Sequence, residues 1–508
     1  MDDSYDVAIV GAGPNGLTAA AYLARAGARV IVLEARFERG GTLASDDYST
    51  PFTYNLAQFL LPAGEDCPPY RDLGLSDHAV AFVTPELAFA TTIDGQTLTV
   101  TRGGEGLGAE LEGLFAEAVT AVAPLLYRPA ADAESALGDG PHLGSLTPEA
   151  LCGLAADERS AIILRYACAM AGFTQGDMPL GPIGALCLAR LFEPTLAVGG
   201  SKSVANGLFR AAARAGARCL VSTRVVALEP VGETWTLRLA DRRRVRARAV
   251  VSTLDPVSTF GELLGPDAAG PVLTTIADTW KLDPSGPFTA HFGIRGAAPR
   301  AADGAGHDAV VRIVGFDSAG DVAAHLSAVA AGELPELPGG HLTVTSRHDP
   351  LQASPGPVGP LHTLRYETPA PYQHPTLPWD RARVAYREWC WELIADAVHG
   401  VTDAQRLFAF CDAPRDLERR FGTARHGSVR QGSLRREQTF TGRPHPDCVD
   451  GRTPLNGLYL GGGATHPGVP GSLAGGYNVA ATVCEDLGLE RWWSAAGAPR
   501  SPSHTGTP

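Results

Sequence analysis

The sequence predicts an α/β fold in which a mostly parallel sheet is interrupted by inserted segments. Two glycine-rich turns lead to this prediction: residues 5–16 hold an apolar strand and its turn, and residues 458–463 repeat the pattern near the other end. Between them, strand-like and helix-like apolar spacing alternate. A chain of 508 residues is also long enough for two or more domains and a deeply buried ligand.

The bulk composition excludes several classes of protein. The net charge of −13 argues against a protein that neutralises phosphates, so nucleic acid is not an expected partner. Apolar runs such as 7–10 and 161–164 are too short to cross a bilayer, and no signal-peptide pattern is present. We expect a cytoplasmic protein, with peripheral membrane contact left open. Because the nine cysteines form no CxxC pair and the histidines no HExxH pattern, neither disulfides nor a metal site is expected.

The first turn has the spacing of a dinucleotide-binding site. Gly11 permits the tight turn, Gly13 lets the backbone approach a pyrophosphate, and Gly16 lets the following helix pack on the strand. The second strand, 29–33, ends in Glu34, where an acidic side chain accepts hydrogen bonds from a ribose diol. This series of strand, glycines, helix, strand and acid predicts a Rossmann-like domain with its helix N-terminus at the phosphates.

The residues after the acid indicate which cofactor is bound. Gly40 and Gly41 follow it in a pattern similar to the ExxxxxGG extension of many FAD proteins. The next residue in such proteins is often Arg, but here it is Thr42, and Arg36 or Arg39 is left open as its replacement. The sequence has no second GxGxxG motif after a strand. We therefore expect FAD without a nicotinamide domain, and reoxidation by oxygen or a quinone-like acceptor.

The middle of the chain predicts a helical cap and a second sheet. Asp94 and Gly95 separate two β-rich runs and predict a type I′ hairpin. Helix-like apolar spacing covers 108–126 and 156–192, with a Gly/Pro/Asp-rich loop at 129–148 between them. We expect these helices to cap a substrate cavity.

The α/β pattern then returns, and a mixed segment follows it. A helix is predicted at 203–215, and the basic run 242–248 is predicted to be a solvated turn. Strands are predicted at 217–228, 234–239, 248–253, 288–294, 309–315 and 341–346, and a further helix at 379–399. The domain boundaries that follow are an FAD-binding domain at 1–78, 195–265 and 422–490, a substrate domain at 79–194 (mostly helical) and 266–421 (sheet plus helices), and a disordered tail at 491–508.

The most specific segment is GGGATHPGVPGSLAGGYN at 461–478, which follows a predicted buried strand at 458–460. Such a turn brings the backbone close to a planar ring and aims free N–H groups at an electron-rich carbonyl. The segment resembles the GAGTHPGxGxxG signature of phytoene-desaturase-like flavoenzymes, carotenoid desaturase relatives within the flavin amine oxidase superfamily. The part at 467–471 is shorter than in many relatives, which would reshape the wall beside the flavin. Other family motifs, such as 438–444, fall in the same order, so the resemblance extends to about residue 488.

The resemblance implies an α/β fold with a Rossmann-like FAD-binding domain of the GR2 type, an inserted α+β substrate domain and a helical cap. It implies dehydrogenation or desaturation of a largely apolar small molecule, such as an isoprenoid or secondary metabolite, with hydride passing to flavin N5. The implied FAD contacts are Gly11, Ala12, Gly13, Pro14, Gly16, Glu34 and Ala35 at the adenosine and pyrophosphate; Gly41 and Thr42 at the pyrophosphate; Val225 at the adenine; and Gly463, Ala464, Gly471, Ser472 and Leu473 along the ribityl chain and flavin.

No catalytic side chain follows from the sequence, because hydride transfer to a flavin depends chiefly on a positioned C–H bond. Three residues are candidates. His466, in the C-terminal motif, either acts in catalysis or braces the turn. Arg443 either anchors a substrate or pairs with a buried carboxylate. His291, on an apolar strand, is either a core histidine or a substrate contact.

Two other functions stay open on the sequence. An amine or amino-acid oxidase on the same fold would need an aromatic cage or a carboxylate-binding arginine facing the flavin ring. A non-catalytic escort protein would share the architecture without flavin chemistry, and would be purified colourless. The sequence leaves open the substrate, the electron acceptor, the oligomeric state, and the choice between desaturation, oxidation, saturation and isomerisation.

Overall fold

The computed structural model describes residues 4–47, 51–61, 64–301, 303–353, 359–422 and 424–494. Its strands are, in chain order, β1 (Ser4–Val10), β2 (Val30–Leu33), β3 (Ser45–Asp46), β4 (Tyr54–Asn55), β5 (Phe82–Val83), β6 (Leu87–Ile93), β7 (Gln96–Thr101), β8 (Leu196–Ala197), β9 (Arg218–Leu220), β10 (Val225–Val231), β11 (Thr234–Leu239), β12 (Arg244–Ser252), β13 (Gly286–Arg295), β14 (Val311–Val314), β15 (Gly340–Thr343), β16 (Leu361–Ala370), β17 (Arg406–Asp412) and β18 (Leu458–Leu460). Its α-helices are α1 (Pro14–Arg25), α2 (Pro68–Asp72), α3 (Ala109–Val122), α4 (Ala130–Leu137), α5 (His142–Ser145), α6 (Pro148–Cys152), α7 (Glu158–Ala171), α8 (Gly181–Leu191), α9 (Lys202–Arg214), α10 (Pro266–Thr279), α11 (Ala319–Ala330), α12 (Trp379–Ala397), α13 (Pro414–Phe421) and α14 (Ala474–Leu487).

The first sheet is assembled from three separate stretches of the chain. β1 lies at its centre and pairs in parallel with β2 on one side and β12 on the other. β9 extends the sheet beyond β2, and β18 pairs in parallel with the C-terminal end of β12. The hairpin of β10 and β11 adds antiparallel strands along the N-terminal half of β12. The four parallel junctions bring the carboxyl ends of β1, β2, β12 and β18 to one edge.

Both faces of the first sheet are covered, which explains why β1 is apolar without alternation. Val7 and Ile9 pack in a core with α1, α9 and α14. Ala8 and Val10, which point the other way, pack in a second core with the hairpin, α10 and Phe260 of the π-helical turn Val257–Leu264. The sheet is therefore packed on both faces up to the edge where its strands end.

The second sheet has the strand order β17, β13, β16, β15, β14, β6, β7. Its pairs are antiparallel except β14 with β6. The predicted hairpin is confirmed: Ile93 pairs with Gln96, and Asp94 and Gly95 between them both have positive φ, as a type I′ turn requires. α12 packs against β13 and β16, with Trp379 and other aromatic side chains in the shared core.

The cap, α3 to α8, packs in one core with β6 and β14 and is more helical than predicted. The loop prediction for 129–148 is wrong, because α4 and α5 lie inside it. Pro129 precedes a run of good helix formers in α4, which buries Ala130 and Ala133. The predicted helical stretch at 156–192 is two helices, because Gly172 adopts a left-handed conformation and ends α7.

The basic run also differs from its prediction. β12 begins at Arg244, so only Arg242 and Arg243 lie in the turn, while Arg246 and Arg248 are on the strand with exposed side chains. The run is solvated as expected, but it is strand rather than turn, because its alternate residues Val245 and Ala247 are buried.

The two sheets take their strands from the segments predicted for the two domains, and the domain boundaries themselves stay a prediction.

Trp492 and Trp493, placed in the predicted tail, pack against Tyr22 with ring centroids 5.2 and 4.7 Å away. The prediction of disorder is therefore wrong for 491–494, and residues 495–508 lie outside the described residues. All nine cysteines are free thiols. Over the described ranges we find neither a helix suited to crossing a bilayer nor a group of three side chains suited to a metal ion.

Candidate active site

A cleft of about 1350 Å³, its open mouth included, follows the edge where the parallel strands end. We call it the edge cleft. Ligands of parallel α/β sheets bind at this edge. Eleven of the residues implied as FAD contacts line it: Gly11, Gly13, Pro14, Glu34, Ala35, Gly41, Thr42, Val225, Gly463, Gly471 and Leu473.

The three glycines of the first turn differ in what a side chain at each position would contact. Gly11 has φ 100°, and a Cβ there would lie 2.4 Å from Thr253 Oγ1. A Cβ on Gly16 would lie 2.1 Å from the Gly11 carbonyl oxygen. A Cβ on Gly13 would meet only the Cα of Gly41, at 4.0 Å. The fold therefore requires Gly11 and Gly16, whereas Gly13 leaves space toward the cleft, as a pyrophosphate would need.

Glu34 is held by the backbone at the end of β2. Its Oε2 accepts a hydrogen bond from Ala12 N and its Oε1 from Arg36 N, both at 2.8 Å. Its carbonyl accepts one from Thr223 N at 2.7 Å. Each carboxylate oxygen has a further lone pair, and the side chain lines the cleft. The carboxylate is therefore fixed in place and able to accept hydrogen bonds from a diol.

The other four implied contacts support the cleft wall from behind. Ala12 holds Glu34, and Gly16 packs on the turn, as described above. Ala464 N donates to Gln431 Oε1 at 3.1 Å, and Ser472 Oγ donates to the Val469 carbonyl at 2.8 Å. None of the four is among the lining residues.

Arg36 and Arg39 lie in different surroundings. Arg36 lines the cleft and forms an ion pair with Glu38. Arg39 instead lies over the ring of Phe209, with its guanidinium carbon 3.8 Å from the ring centroid. Of the two, Arg36 lies in the cleft wall and Arg39 does not, and a contact of Arg36 with the pyrophosphate stays a prediction.

Sequence reasoning missed a group of lining residues that lie at the end of α13, in the segment after it, or in loops elsewhere in the chain. They are Gln58, Arg224, Arg419, Arg420, Phe421, Val429, Arg430 and Gln431. Gln431 joins two parts of the wall, since its Nε2 donates to the Thr253 carbonyl while its Oε1 accepts from Ala464. No local pattern marks these residues, because their contacts join segments far apart in sequence.

Arg443 is a brace for the C-terminal turn. It is 1% exposed, and its guanidinium donates to backbone carbonyls, two of these bonds reaching Gly463 at 3.0 and 2.8 Å. Its other acceptors are the carbonyls of Ser433, Gln438, Arg430 and Gly432. Burial lowers its pKa to about 10. The alternative of a carboxylate partner is wrong, because carbonyls take that place.

His466 joins the same turn to the cap. Its Nε2 lies 3.3 Å from the Leu125 carbonyl, and its ring stacks on Phe440 with centroids 5.5 Å apart. Burial lowers its pKa to about 4. The ring does not line the edge cleft, so its position matches a brace between the turn and the cap.

His291 lies among aromatic side chains. It stacks on Phe410, with centroids 4.5 Å apart, and meets Tyr54 edge to face at 5.6 Å. Burial holds its pKa well below its usual range. Both of its ring nitrogens lack a hydrogen-bond partner within the described residues.

A second cavity of about 840 Å³, its open part included, lies between the cap and the second sheet, and we call it the cap cavity. Tyr166 and Met170 of α7 form one wall, and Glu367 of β16 another. It shares Val429 and Arg430 with the edge cleft. Because the Arg430 carbonyl lies 3.2 Å from where a Cβ on Gly463 would be, the wall that the two cavities share lies beside the C-terminal turn.

The two carboxylates that line the cap cavity are both paired with arginines. Asp283 Oδ2 accepts from Arg430 Nε at 3.0 Å, and Glu367 forms an ion pair with Arg365. Burial raises the pKa of Glu367, but the Arg365 guanidinium outweighs that effect and holds the pKa below its usual value. The cavity therefore has little net charge in its walls.

Comparisons with known proteins agree with this architecture. Residues 9–68 match the model of the NAD(P)-binding Rossmann-like domain. The chain is 29% identical to one of the subunits of limonene dehydrogenase from Castellaniella defragrans, over 96% of each chain. It is 25% identical to the mouse pyridine nucleotide-disulfide oxidoreductase domain-containing protein 2, over 96% of this chain and 94% of that one.

Two solved structures show the same fold. Cyclohexylamine oxidase from Brevibacterium oxydans aligns with a TM-score of 0.60 at 15% identity, covering 96% of this chain and 100% of that one. An oxidoreductase from Methanosarcina mazei aligns with a TM-score of 0.60 at 16% identity, covering 94% and 100%. The predicted Rossmann-like α/β fold with an inserted domain is confirmed.

Proposed function

We propose that this protein is an FAD-dependent oxidoreductase that takes hydride from a largely apolar small molecule in the cap cavity. The observation that carries the proposal is the wall formed by Val429 and Arg430, which a cleft suited to a dinucleotide shares with a cavity beneath a helical cap. The limonene dehydrogenase relative, similar over nearly the full length, supports an apolar substrate. More specifically, we propose that it is a dehydrogenase or desaturase of the phytoene-desaturase-like type.

The residues of the edge cleft would hold FAD from end to end. Glu34 would accept hydrogen bonds from the adenosine ribose, and the turn at Gly13 would lie against the pyrophosphate. α14 begins directly after Leu473, so its positive dipole end lies beside the cleft at the end of the C-terminal turn. When bound there, the flavin ring would supply the hydride acceptor. The protein's own part is to hold the substrate C–H bond and to exclude water.

An amine oxidase is the second candidate, since a solved amine oxidase has this fold. An amine cation would need a free carboxylate or an aromatic cage. The carboxylates of the cap cavity, Glu367 and Asp283, are already paired with arginines, so this alternative is less well supported. A non-catalytic escort protein is the third candidate. The edge cleft argues against it, because residues implied at both the pyrophosphate and the flavin line the cleft.

The first experiment measures bound flavin and its reduction. Denaturing the purified protein should release a yellow flavin with the mass of FAD into the supernatant. We expect release because the residues that line the cleft include no cysteine or histidine to which the flavin could be covalently attached. Anaerobic addition of cyclic terpenes should then bleach the flavin, with oxygen or a quinone restoring it. A colourless protein would refute the proposal, and bleaching by primary amines alone would favour the amine oxidase.

A further inference from the structure

Helices α1 and α14 begin at the edge cleft. Their N-cap residues, Gly13 and Leu473, both line the cleft, and neither has a side chain that caps the helix. The first N–H groups of a helix have no partner within it and carry part of the positive end of its dipole. The two helices therefore bring their positive ends to the same cleft.

The first turns of the two helices are in direct contact because α14 has glycines there. A Cβ on Gly476 would lie 2.1 Å from the Asn15 carbonyl oxygen, and a Cβ on Gly475 would lie 3.4 Å from Asn15 Cγ. A larger residue at position 476 would therefore push the helices apart. The two glycines thus allow the side chain of Asn15, in the first turn of α1, to reach the first turn of α14.

The hydrogen bond of Asn15 determines how its amide is oriented. Asn15 Oδ1 accepts from Gly476 N at 3.2 Å, and a backbone N–H can only donate, so the oxygen is the amide atom that faces α14. Asn15 Nδ2 has no acceptor among the described residues, and it is not one of the fully buried polar atoms without a partner. Because Asn15 is partly exposed and lines the edge cleft, this donor is accessible there.

The surroundings of Asn15 favour an anionic ligand. The positive ends of α1 and α14 lie beside it, and Gly13, two residues earlier, leaves space toward the cleft. Of the acidic residues in the cleft wall, Glu34 accepts from two backbone N–H groups and Glu262 is paired with Arg425. An N–H donor between two helix N-termini suits a phosphate oxygen, since both the hydrogen bond and the dipoles stabilise its charge.

We propose that Asn15 is a cofactor-binding residue, whose Nδ2 donates to an oxygen of the FAD diphosphate while its Oδ1 joins α14 to α1. The inference rests on the proposed function, in which the edge cleft holds FAD. It adds a side chain to a contact for which the sequence indicated only glycines and a helix N-terminus. The same side chain connects the first glycine-rich turn with a helix that lies 461 residues further along the chain.

The variant Asn15→Asp separates the two roles of the side chain. Its carboxylate can still accept from Gly476 N, and a negative charge near two helix N-termini stabilises the apoprotein. It has no N–H to donate, however, and it repels the diphosphate. We expect the dissociation constant of FAD to rise about ten- to 100-fold, while the apoprotein unfolds at the same or a higher temperature. A purely structural role would lower stability and affinity together.

Fluorescence titration of the full-length apoproteins with FAD measures the dissociation constants, and ADP is titrated in competition. ADP carries the diphosphate without the ribityl chain and the flavin, so Asn15→Asp should weaken the binding of ADP as well. The loss of affinity should be smaller at high ionic strength, because salt screens the repulsion between the carboxylate and the diphosphate. Thermal unfolding of the same apoproteins measures their stability.

Two further variants complete the test. Asn456→Asp is the matched control, since Asn456 is exposed and precedes β18 at the end of that strand away from the cleft. The same change of charge there should leave FAD and ADP binding as in the parent. Asn15→Ala removes both hydrogen bonds without adding a charge and should bind FAD about tenfold more weakly. It decides the question if Asn15→Asp does not fold.

The outcomes separate this inference from the proposed function. Equal FAD affinity in the parent and in both Asn15 variants would overturn the inference. A loss of affinity for FAD but not for ADP would assign Asn15 to the ribityl chain and would also overturn it. A parent that binds ADP through Asn15 but does not bind FAD would contradict the proposed function alone, and a parent that binds neither would overturn both.

Discussion

Gly13 is not required by the fold, but we expect it to be required for binding of the cofactor. A side chain there would meet nothing closer than 4.0 Å in the protein. We therefore expect Gly13→Ala to fold normally but to bind FAD more weakly, because its methyl group would occupy the space of the pyrophosphate. Overpacking typically costs ~1–3 kcal/mol, which is roughly a five- to 150-fold loss of affinity. Fluorescence titration of the apoprotein with FAD measures it.

The control for this change is Gly113→Ala in α3. Gly113 is exposed in mid-helix, and a Cβ there would also meet nothing within 4 Å. Alanine is the better helix former by about 1 kcal/mol, so this variant should be slightly more stable and bind FAD like the parent. Equal FAD affinity in both variants would contradict the placement of Gly13.

The sequence was informative about residues whose role is local. Gly11, Gly13 and Glu34 belong to a continuous strand, turn, helix and strand, so their spacing alone predicts the first part of the cleft. Gln431 and Arg430 could not be found in this way, because they reach the cleft from a segment without regular structure. The pairing of Arg365 with Thr343 and of Glu367 with His341 depends on the register of β15 with β16, which no sequence pattern reveals.

At the scale of elements, the turn before α14 depends on Arg443. Its guanidinium satisfies carbonyls that come from three different segments. Arg443→Met should leave them without donors in a buried site, and we expect the free energy of unfolding to fall by about 3 kcal/mol or more. Chemical denaturation of the holoprotein measures the loss. Arg436→Met, at an exposed neighbour, is the matched control, and equal stability of the two variants would contradict the brace.

The contact between this turn and the cap should be sensitive to pH. The pKa of His466 is about 4 in the folded protein and about 6.5 when unfolded. Its contribution to stability is therefore complete above about pH 6.5 and is lost as the pH falls toward 4, because the unfolded chain binds the proton first. The expected slope is up to ~1.4 kcal/mol per pH unit.

Unfolding of the parent and of His466→Gln between about pH 7 and 5 tests this slope. The free energy of unfolding should fall less in the variant than in the parent as the pH is lowered. The difference should equal the contribution of about one titrating group. Identical slopes would show that His466 does not titrate as its burial indicates. His341, with the same lowered pKa, should keep part of the slope in both proteins.

Strand and hairpin elements were predicted well where their patterns were strong, as at Asp94 and Gly95. The segment 129–148 was predicted wrongly because its glycines and prolines dominated the composition, although the alanine-rich stretch of α4 between them could form a helix. The order of strands in the second sheet could not be predicted, since β14 pairs with β6 although β7 to β13 lie between them in the chain.

For the whole molecule, we predict that NADPH does not reduce the bound flavin at a useful rate. The sequence has one dinucleotide fingerprint, and the cap cavity is walled by apolar side chains and balanced ion pairs rather than by a second glycine-rich turn. Anaerobic mixing with excess NADPH, followed by flavin absorbance, tests it. Rapid bleaching would reveal a nicotinamide site and reverse the expected direction of electron flow.

The assembly of the first sheet from three stretches also has a consequence for biosynthesis. β1 and the first turn leave the ribosome early, but β18 and the turn that closes the cleft come from the last part of the chain. Proteins are made from the N-terminus at about 5–20 residues per second. The nascent chain therefore has an incomplete cleft until β18 and the C-terminal turn have been made, so complete cofactor binding must follow their synthesis. Riboflavin supply during expression should then determine how much newly made protein survives, rather than only how much is active.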